Sequence, residues 1–93
     1  MLFAIYMLDK PDSAELRAQT GRFHAAYMAE NEGGMRMGGP LYGDDHKTMI
    51  GSVVIKDFAD RSAAEKFIAN EPYNKAGLFE TVLINPFGAF VDK

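Results

Sequence analysis

The segment Leu2–Leu8 (LFAIYML) decides the fold, because nearly every one of its side chains is apolar. Asp9, Lys10 and Pro11 follow it and end the apolar pattern. A short apolar run between polar flanks is typical of a central β-strand that is covered on both faces. The run is too short for a membrane span, which needs about 20 apolar residues, and it lacks the basic leader and cleavage site of a signal peptide. We therefore expect a buried strand here, with no membrane anchor or secretion signal.

The polar segment after this strand predicts the start of a long helix. Asp12-Ser13-Ala14-Glu15 has the pattern of a capping box, in which the two acidic side chains satisfy free backbone N–H groups. The helix is expected to continue to about Asn31, before Gly33-Gly34. Gly21 weakens a helix by up to about 1 kcal/mol and therefore indicates a place where another group packs closely. The stripe expected to face the sheet consists of Leu16, Thr20, Phe23 and Tyr27.

The rest of the chain predicts three more strands and a second helix. In order, these are a strand Met35–Tyr42 broken at Gly38-Gly39-Pro40, a hairpin loop Gly43–Lys47, a strand Thr48–Lys56, a helix from Asp60 or Ser62 to Asn70, one helical turn at 73–77 and a strand Leu78–Ile84. The order β-α-β-β-α-β corresponds to two interleaved crossovers. It predicts a ferredoxin-like α+β fold in which both helices cover one face of a four-stranded antiparallel sheet. Residues 1–93 are expected to form a single domain.

The sheet pattern also predicts self-association. The strands carry apolar side chains on both faces, whereas the helices cover only one. A chain of this size buries only roughly 60–65% of its unfolded surface, so a monomer gains little stability from its own core. We expect a homodimer, or a higher homo-oligomer, in which the uncovered sheets pack against each other.

Composition excludes several classes of function. The chain has no Cys, which excludes a disulfide scaffold, a Cys-based zinc site, an iron–sulfur cluster and a thiol nucleophile, and is consistent with a cytoplasmic location. Its formal net charge of −3 argues against nucleic-acid binding, and Ile50–Ile55 lacks the aromatic and basic side chains of an RNA-recognition strand. His24 and His46 do not share a metal-ligand spacing, and Asp44-Asp45-His46 is interpreted as a solvated hairpin tip. We expect neither a metal nor an organic cofactor.

Two side chains are candidates for proton transfer. His24 lies at the rim of the predicted helix–sheet interface, and an imidazole in such a place suits a general acid or base. The alternative is an inert histidine on the helix surface. Glu71 is held in extended geometry by Pro72 and is suited to orienting an imidazole. The alternative is a solvated loop carboxylate.

Five further residues are candidates for substrate binding. Arg17 shares a helix face with His24, so it either neutralises an anionic substrate or coats the helix surface. Ser52 lies in an apolar strand, where it either lines a pocket with Gly39-Pro40 or forms a hydrogen bond across strands. Tyr73 either positions a substrate or fills the core.

An ordered set of short motifs resembles the YCII-related domain family over essentially the whole chain. The set comprises Leu2–Tyr6, Asp9–Ser13, Arg17, His24, Gly38–Leu41, Gly51-Ser52, Glu71-Pro72-Tyr73, Ala76–Leu78 and Asn85-Pro86-Phe87. The resemblance implies a dimeric α+β barrel of ferredoxin-like subunits and an active site with a His–Asp pair. The His falls on His24, and the family's Asp-Pro-Tyr segment matches Glu71-Pro72-Tyr73 with Glu in place of Asp. The added methylene moves the carboxylate by roughly 1.5 Å, so the pair is either re-spaced or lost.

One branch of the family is similar to dehydrochlorinases that act on chlorinated hydroxyhydroquinones. The resemblance therefore implies a cofactor-independent lyase or isomerase acting on a small cyclic, anionic or phenolic compound. His24 would transfer the proton, Glu71 would orient it, and Arg17 and Tyr73 would position the substrate. The alternative hypothesis is a non-catalytic dimeric module that binds a small metabolite or a protein partner.

Overall fold

Four strands and three helices make up the fold in a computed structural model that describes residues 1–93. They are β1 Leu2–Asp9, α1 Ala14–Glu30, β2 Met35–Tyr42, β3 Met49–Asp57, α2 Arg61–Ala69, α3 Pro72–Lys75 and β4 Phe79–Pro86. The strands form one antiparallel sheet in the order β2-β3-β1-β4. This confirms the predicted ferredoxin-like α+β fold.

Strand β1 lies at the centre of the sheet, as its apolar pattern predicted. Phe3, Ile5 and Met7 are each at most 1% exposed and belong to the single hydrophobic core. Burying each of these side chains stabilises the fold by about 1.5–3 kcal/mol. The buried face of α2 that joins this core consists of Ala64, Phe67 and Ile68.

The predicted capping box at the start of α1 is wrong. Asp12 has a φ of 57°, in the left-handed region, so it belongs to the turn between β1 and α1. Ser13 occupies the N-cap position, and no side chain caps the helix there. Glu15 instead accepts a hydrogen bond from Gln19. The chain needs the turn at Asp12 to reverse direction after β1, and this requirement outweighs the local capping preference.

The predicted buried stripe of α1 is wrong at Phe23, which is 53% exposed. Thr20 is buried, and Leu16 and Tyr27 pack at the edge of the core, as predicted; the helix also buries Arg17, which the stripe did not include. The helix is thus rotated so that a charged side chain faces the sheet. This rotation is possible because Arg17 finds an ion-pair partner there, as described below.

Strand β2 is continuous through Gly38-Gly39-Pro40, where the sequence pattern predicted a break. Pro40 lies opposite Ser52 of β3. Proline is tolerated at this position because β2 is an edge strand, so one side of it needs no ladder hydrogen bonds. The choice left open at the start of α2 is resolved in favour of Asp60, whose side chain accepts a hydrogen bond from the backbone N–H of Ala63 at 2.9 Å.

The second face of the sheet carries an apolar row. Tyr6 lies opposite Val53 of β3 and Leu83 of β4. Tyr6 is 41% exposed and Leu83 is 54% exposed. The predicted packing of this face against a second copy stays a prediction. None of the three helices has the length and apolar character needed to cross a bilayer.

Candidate active site

A cavity of about 450 Å³ lies between α1 and the β2–β3 side of the sheet. Six of the seven predicted site residues line it, namely Arg17, His24, Gly39, Pro40, Ser52 and Tyr73. The seventh, Glu71, is fully buried and contacts His24. The structure therefore brings residues from α1, β2, β3 and the start of α3 into one place.

His24 and Glu71 form a hydrogen-bonded pair. The Nδ1 atom of His24 lies 2.7 Å from Oε1 of Glu71. Glu71 has extended backbone geometry, with φ −71° and ψ 129°, and Pro72 begins α3 directly after it. This geometry directs the carboxylate at α1. The longer side chain of Glu therefore keeps the pair within hydrogen-bond distance, and the alternative of a solvated loop carboxylate is wrong.

The pair also determines which nitrogen of His24 a ligand can reach. Glu71 occupies Nδ1, while the ring lines the cavity and its side chain is 24% exposed. An Nδ1–H that donates to the carboxylate leaves Nε2 of a neutral imidazole as a proton acceptor. His24 is thus half-buried at the rim, as predicted, with Nε2 free for chemistry.

Glu71 has no partner other than His24 for its side chain. Its Oε2 atom is buried and makes no hydrogen bond. A buried carboxylate with one unsatisfied oxygen is costly, and the hydrogen bond to Nδ1 of His24 is the side-chain interaction that offsets this cost. Glu71 can therefore stabilise the imidazolium that forms when Nε2 accepts a proton.

Tyr73 forms part of the cavity wall between His24 and Arg17. Its ring stacks on His24 with centroids 4.2 Å apart and an interplanar angle of 21°. The guanidinium carbon of Arg17 lies 4.6 Å from the same ring centroid. A Cβ atom at Gly21 would lie 3.6 Å from the Tyr73 hydroxyl, which is an ordinary van der Waals contact, so Tyr73 is the side chain that packs against α1 at Gly21.

The Tyr73 hydroxyl is held in its neutral form. Burial raises the pKa of Tyr73, and although the charge of Arg17 opposes this, the charges of Glu71 and Asp9 add to the increase. A neutral phenol donates one hydrogen bond and accepts others. Tyr73 can therefore offer a proton to an oxygen atom of a ligand.

Arg17 is buried in an ion pair, so the prediction that it coats the helix surface is wrong. Its Nε and Nη2 atoms donate to the two carboxylate oxygens of Asp9 at 2.7 and 3.0 Å. Nη2 also donates to the hydroxyl of Ser52 at 3.3 Å. Burial lowers the pKa of Arg17, but the hydrogen bond and charge of Asp9 outweigh it, so the pKa is raised overall. The guanidinium is a permanent cation in the cavity wall.

Asp9 is a functional candidate that the sequence analysis does not include among the site residues, since it appears there only as the end of the first strand and as part of the motif set. A signal was present in the alternation of the strand. Phe3, Ile5 and Met7 all face the core, and the next residue with the same parity is Asp9. A carboxylate that continues the buried face of a strand requires a cation, and α1 supplies Arg17.

Much of the remaining cavity lining is apolar. Gly39-Pro40 of β2 contributes backbone and ring, and no atom lies within 4 Å of where a Cβ of Gly39 would be. Three thioether side chains, Met28, Met35 and Met49, also line the cavity. Methionine adapts its shape to flat or irregular ligands and contacts aromatic rings favourably. The cavity therefore combines a few polar groups with an adaptable apolar lining.

The hairpin tip carries no comparable arrangement. Asp45 accepts hydrogen bonds from the backbone N–H groups of Lys47 and Thr48 and from the Thr48 hydroxyl. The Thr48 side chain and these backbone N–H groups lower the pKa of Asp45 to about 2. Nowhere in the structure do three His, Asp or Glu side chains form a group that could hold a metal ion. Asp44-Asp45-His46 is thus a hairpin tip stabilised by its own hydrogen bonds.

Comparison with known proteins identifies relatives over nearly the whole chain. The sequence pattern of the YCII-related domain family matches residues 1–88. Protein YciI of Escherichia coli O6:H1 is 34% identical over 94 aligned positions, which cover 94% of this chain and 96% of that protein. An uncharacterised protein of Haemophilus influenzae is 28% identical over the same shares of the two chains.

Two solved structures resemble this one. The first is 5-chloro-2-hydroxyhydroquinone dehydrochlorinase (TftG) of Burkholderia phenoliruptrix AC1100 in complex with 2,5-dihydroxybenzoquinone. It has a TM-score of 0.88 and 33% identity, with 95% of this chain and 94% of that chain covered. The second, an antibiotic biosynthesis monooxygenase, has a TM-score of 0.53 and 18% identity, with 95% and 99% covered. This second similarity concerns the fold alone.

Proposed function

Because this chain belongs to the YCII-related domain family, we propose that it is a cofactor-independent lyase or isomerase that acts on a small cyclic or phenolic compound. The observation that carries the proposal is the hydrogen bond of 2.7 Å between His24 and the fully buried Glu71 at the wall of a cavity. The similarity to a dehydrochlorinase at 33% identity supports the same class of chemistry.

In this proposal His24 moves the proton and Glu71 keeps it in position. Nε2 accepts a proton from a substrate hydroxyl and returns it to a ring carbon, while the Nδ1 proton stays on the bond to Glu71. For loss of HCl from a chlorinated hydroxyhydroquinone, two hydroxyl protons leave and one is placed on the carbon that carries chlorine. Chloride departs with the electron pair of the C–Cl bond, and the oxygen lone pairs form the two carbonyl groups of the quinone. The net loss is one proton and one chloride ion.

The remaining cavity residues hold the substrate. A volume of about 450 Å³ is in the range of small-molecule sites and accommodates a single substituted ring. Arg17 and Tyr73 supply charge and a neutral hydroxyl, and Gly39-Pro40 of β2 supplies an apolar part of the lining. Ser52 contributes through its hydrogen bond to Arg17.

Activity assays with two groups of compounds test the proposal. Chloride release is measured with chlorinated hydroquinones and hydroxyhydroquinones, and ring opening is measured with small lactones. His24→Gln should lower kcat/KM by about 10²–10⁴-fold, which is the typical contribution of a general acid or base. His46→Gln is the matched control, because His46 lies at the exposed hairpin tip and outside the cavity. Full turnover in His24→Gln would refute the mechanism.

A homodimer is part of the same proposal. The exposed apolar row on the second face of the sheet, with Leu83 54% exposed, is the surface that a second copy would cover. Sedimentation should show a dimer for the wild-type chain and a monomer for Leu83→Arg. Glu80→Arg, on the same strand at an exposed position, is the control and should stay dimeric. The cytoplasmic location stays a prediction.

A further inference from the structure

One nitrogen of the Arg17 guanidinium, Nη1, bonds neither to Asp9 nor to Ser52. The Nε–H and both Nη2 hydrogens are directed at Asp9 and Ser52. The two remaining N–H groups are on Nη1, and the Tyr73 hydroxyl is the other side-chain oxygen close to the guanidinium. Because Arg17 and Tyr73 both line the cavity, an Nη1 N–H and the Tyr73 hydroxyl can serve a ligand there together.

Rigid elements hold this nitrogen in place. Asp9 ends β1, which is the central strand next to β3, and Ser52 lies within β3 opposite Met7 of β1. The side chains of Arg17 and Asp9 are 8% and 6% exposed. A bidentate bond with a buried carboxylate fixes the plane of a guanidinium as well as its position. The direction of Nη1 is therefore set by two neighbouring strands.

The same nitrogen lies on one wall with the proposed proton-transfer group. Two helical turns, about 10.5 Å along the axis, separate Arg17 from His24 on α1. The ring of Tyr73 lies 4.6 Å from the guanidinium carbon and 4.2 Å from the imidazole centroid, so it is inserted between them. A flat ring placed against this wall reaches the cation at one end and the imidazole at the other.

We infer that Asp9 and Ser52 are positioning residues, which hold Arg17 so that Nη1 donates to an oxyanion of the ligand. The ligand is then a flat ring with two functional ends. One end carries an ionised oxygen that accepts from Arg17, and the opposite end carries the atom that exchanges its proton with His24. Asp9 acts through Arg17 and does not itself touch the ligand. This inference deepens the proposed function and rests on it.

NMR titration of the full chain with two probes tests the inference. 2,5-Dihydroxybenzoquinone is the anionic probe, because its acidic enol groups are ionised at neutral pH, and hydroquinone is the neutral probe of similar size. Asp9→Asn keeps the shape of the side chain and removes its charge. We expect it to raise the Kd of the anionic probe about tenfold and to change the Kd of hydroquinone less than about twofold. An equal loss for both probes would mean that Asp9 only supports the fold, and would overturn the inference.

A double-mutant cycle separates positioning from direct contact. In an Arg17→Gln background, Asp9→Asn should have no further effect on the Kd of the anionic probe, because Arg17 is the group through which it acts. A second tenfold loss in that background contradicts the inference, and so does a wild-type chain that does not bind the anionic probe. If Asp9→Asn does not fold, Ser52→Ala removes only the 3.3 Å bond and should weaken anion binding selectively by about threefold.

Failure of this inference can be distinguished from failure of the proton-transfer proposal. Selective weakening of the anionic probe by Asp9→Asn supports the subsite even if His24→Gln retains full turnover. A large loss of turnover in His24→Gln supports the mechanism. If Asp9→Asn at the same time weakens the binding of both probes equally, the subsite is refuted.

Discussion

Removal of His24 is predicted to destabilise the protein as well as to inactivate it. The carboxylate of Glu71 is 0% exposed, its Oε2 has no partner, and its Oε1 contacts only His24. His24→Ala therefore leaves a buried carboxylate without its partner, and removing one partner of a buried pair in this way costs about 3–5 kcal/mol. The His24 side chain is 24% exposed, so water reaches part of the vacated space, and we take the lower value of about 3 kcal/mol.

Thermal and urea unfolding measure this loss. In a domain of this size each kcal/mol shifts Tm by about 4–8 °C, so His24→Ala should melt about 12–24 °C below the wild type at neutral pH. His24→Gln keeps an amide donor near Oε1 and should lose only about 1 kcal/mol. The double variant His24→Ala/Glu71→Gln carries no charge at position 71 and should recover most of the loss, which a double-mutant cycle quantifies.

A loss below about 1 kcal/mol, or a double variant that recovers none of the loss, would refute the idea that Glu71 is a buried carboxylate held by His24 alone.

Three further outcomes follow from the same geometry. Glu71→Asp withdraws the carboxylate by roughly 1.5 Å, so turnover should fall about 10–100-fold. The NMR signal of the His24 Nδ1–H proton, which is hydrogen-bonded in the wild type, should disappear. An unchanged signal would contradict the 2.7 Å contact between His24 and Glu71. Gly51→Ala should cost about 3 kcal/mol in urea unfolding, since its Cβ would lie 2.2 Å from the carbonyl oxygen of Met7, whereas wild-type stability would show that the strands can separate. Burial, with the charge of Glu71 adding to it, raises the pKa values of Tyr27 and Tyr73 above the ordinary value of 10.0. Stability should thus be complete below pH 10 and decline as pH rises beyond it, less steeply in Tyr73→Phe; an equal decline in that variant would exclude Tyr73 as a cause.

Much of the fold could be predicted because it depends on local patterns. The apolar run Leu2–Leu8 specified a central strand, Asp60 was among the two caps considered for α2, and the alternation of strand residues indicated an uncovered face. Each of these follows from the sequence of a few neighbouring residues and from the period of a strand or helix. The failures arose where a distant partner changed the local preference.

Asp12, Phe23 and Arg17 show this clearly. The turn into α1 placed Asp12 outside the helix, and the ion pair with Asp9 rotated Arg17 inward and Phe23 outward. Hydrophobic periodicity predicts that an arginine lies on the surface, because the pattern contains no information about a hydrogen-bond acceptor on another element. Burial of a charge is decided by its partner and not by its neighbours in sequence.

By itself the sequence determined the element order, the topology and a short set of candidate residues, each with an alternative interpretation. Only the tertiary structure decided between these alternatives. It placed Glu71 against His24 across 47 positions of the chain and buried its carboxylate completely. It also joined Arg17 to Asp9 and Ser52 and inserted Tyr73 between Arg17 and His24. Local periodicity predicts which face of a helix or strand a side chain occupies. Charge compensation and stacking depend on the groups that lie opposite that face, and only the packing of α1 against the sheet and α3 determines those groups.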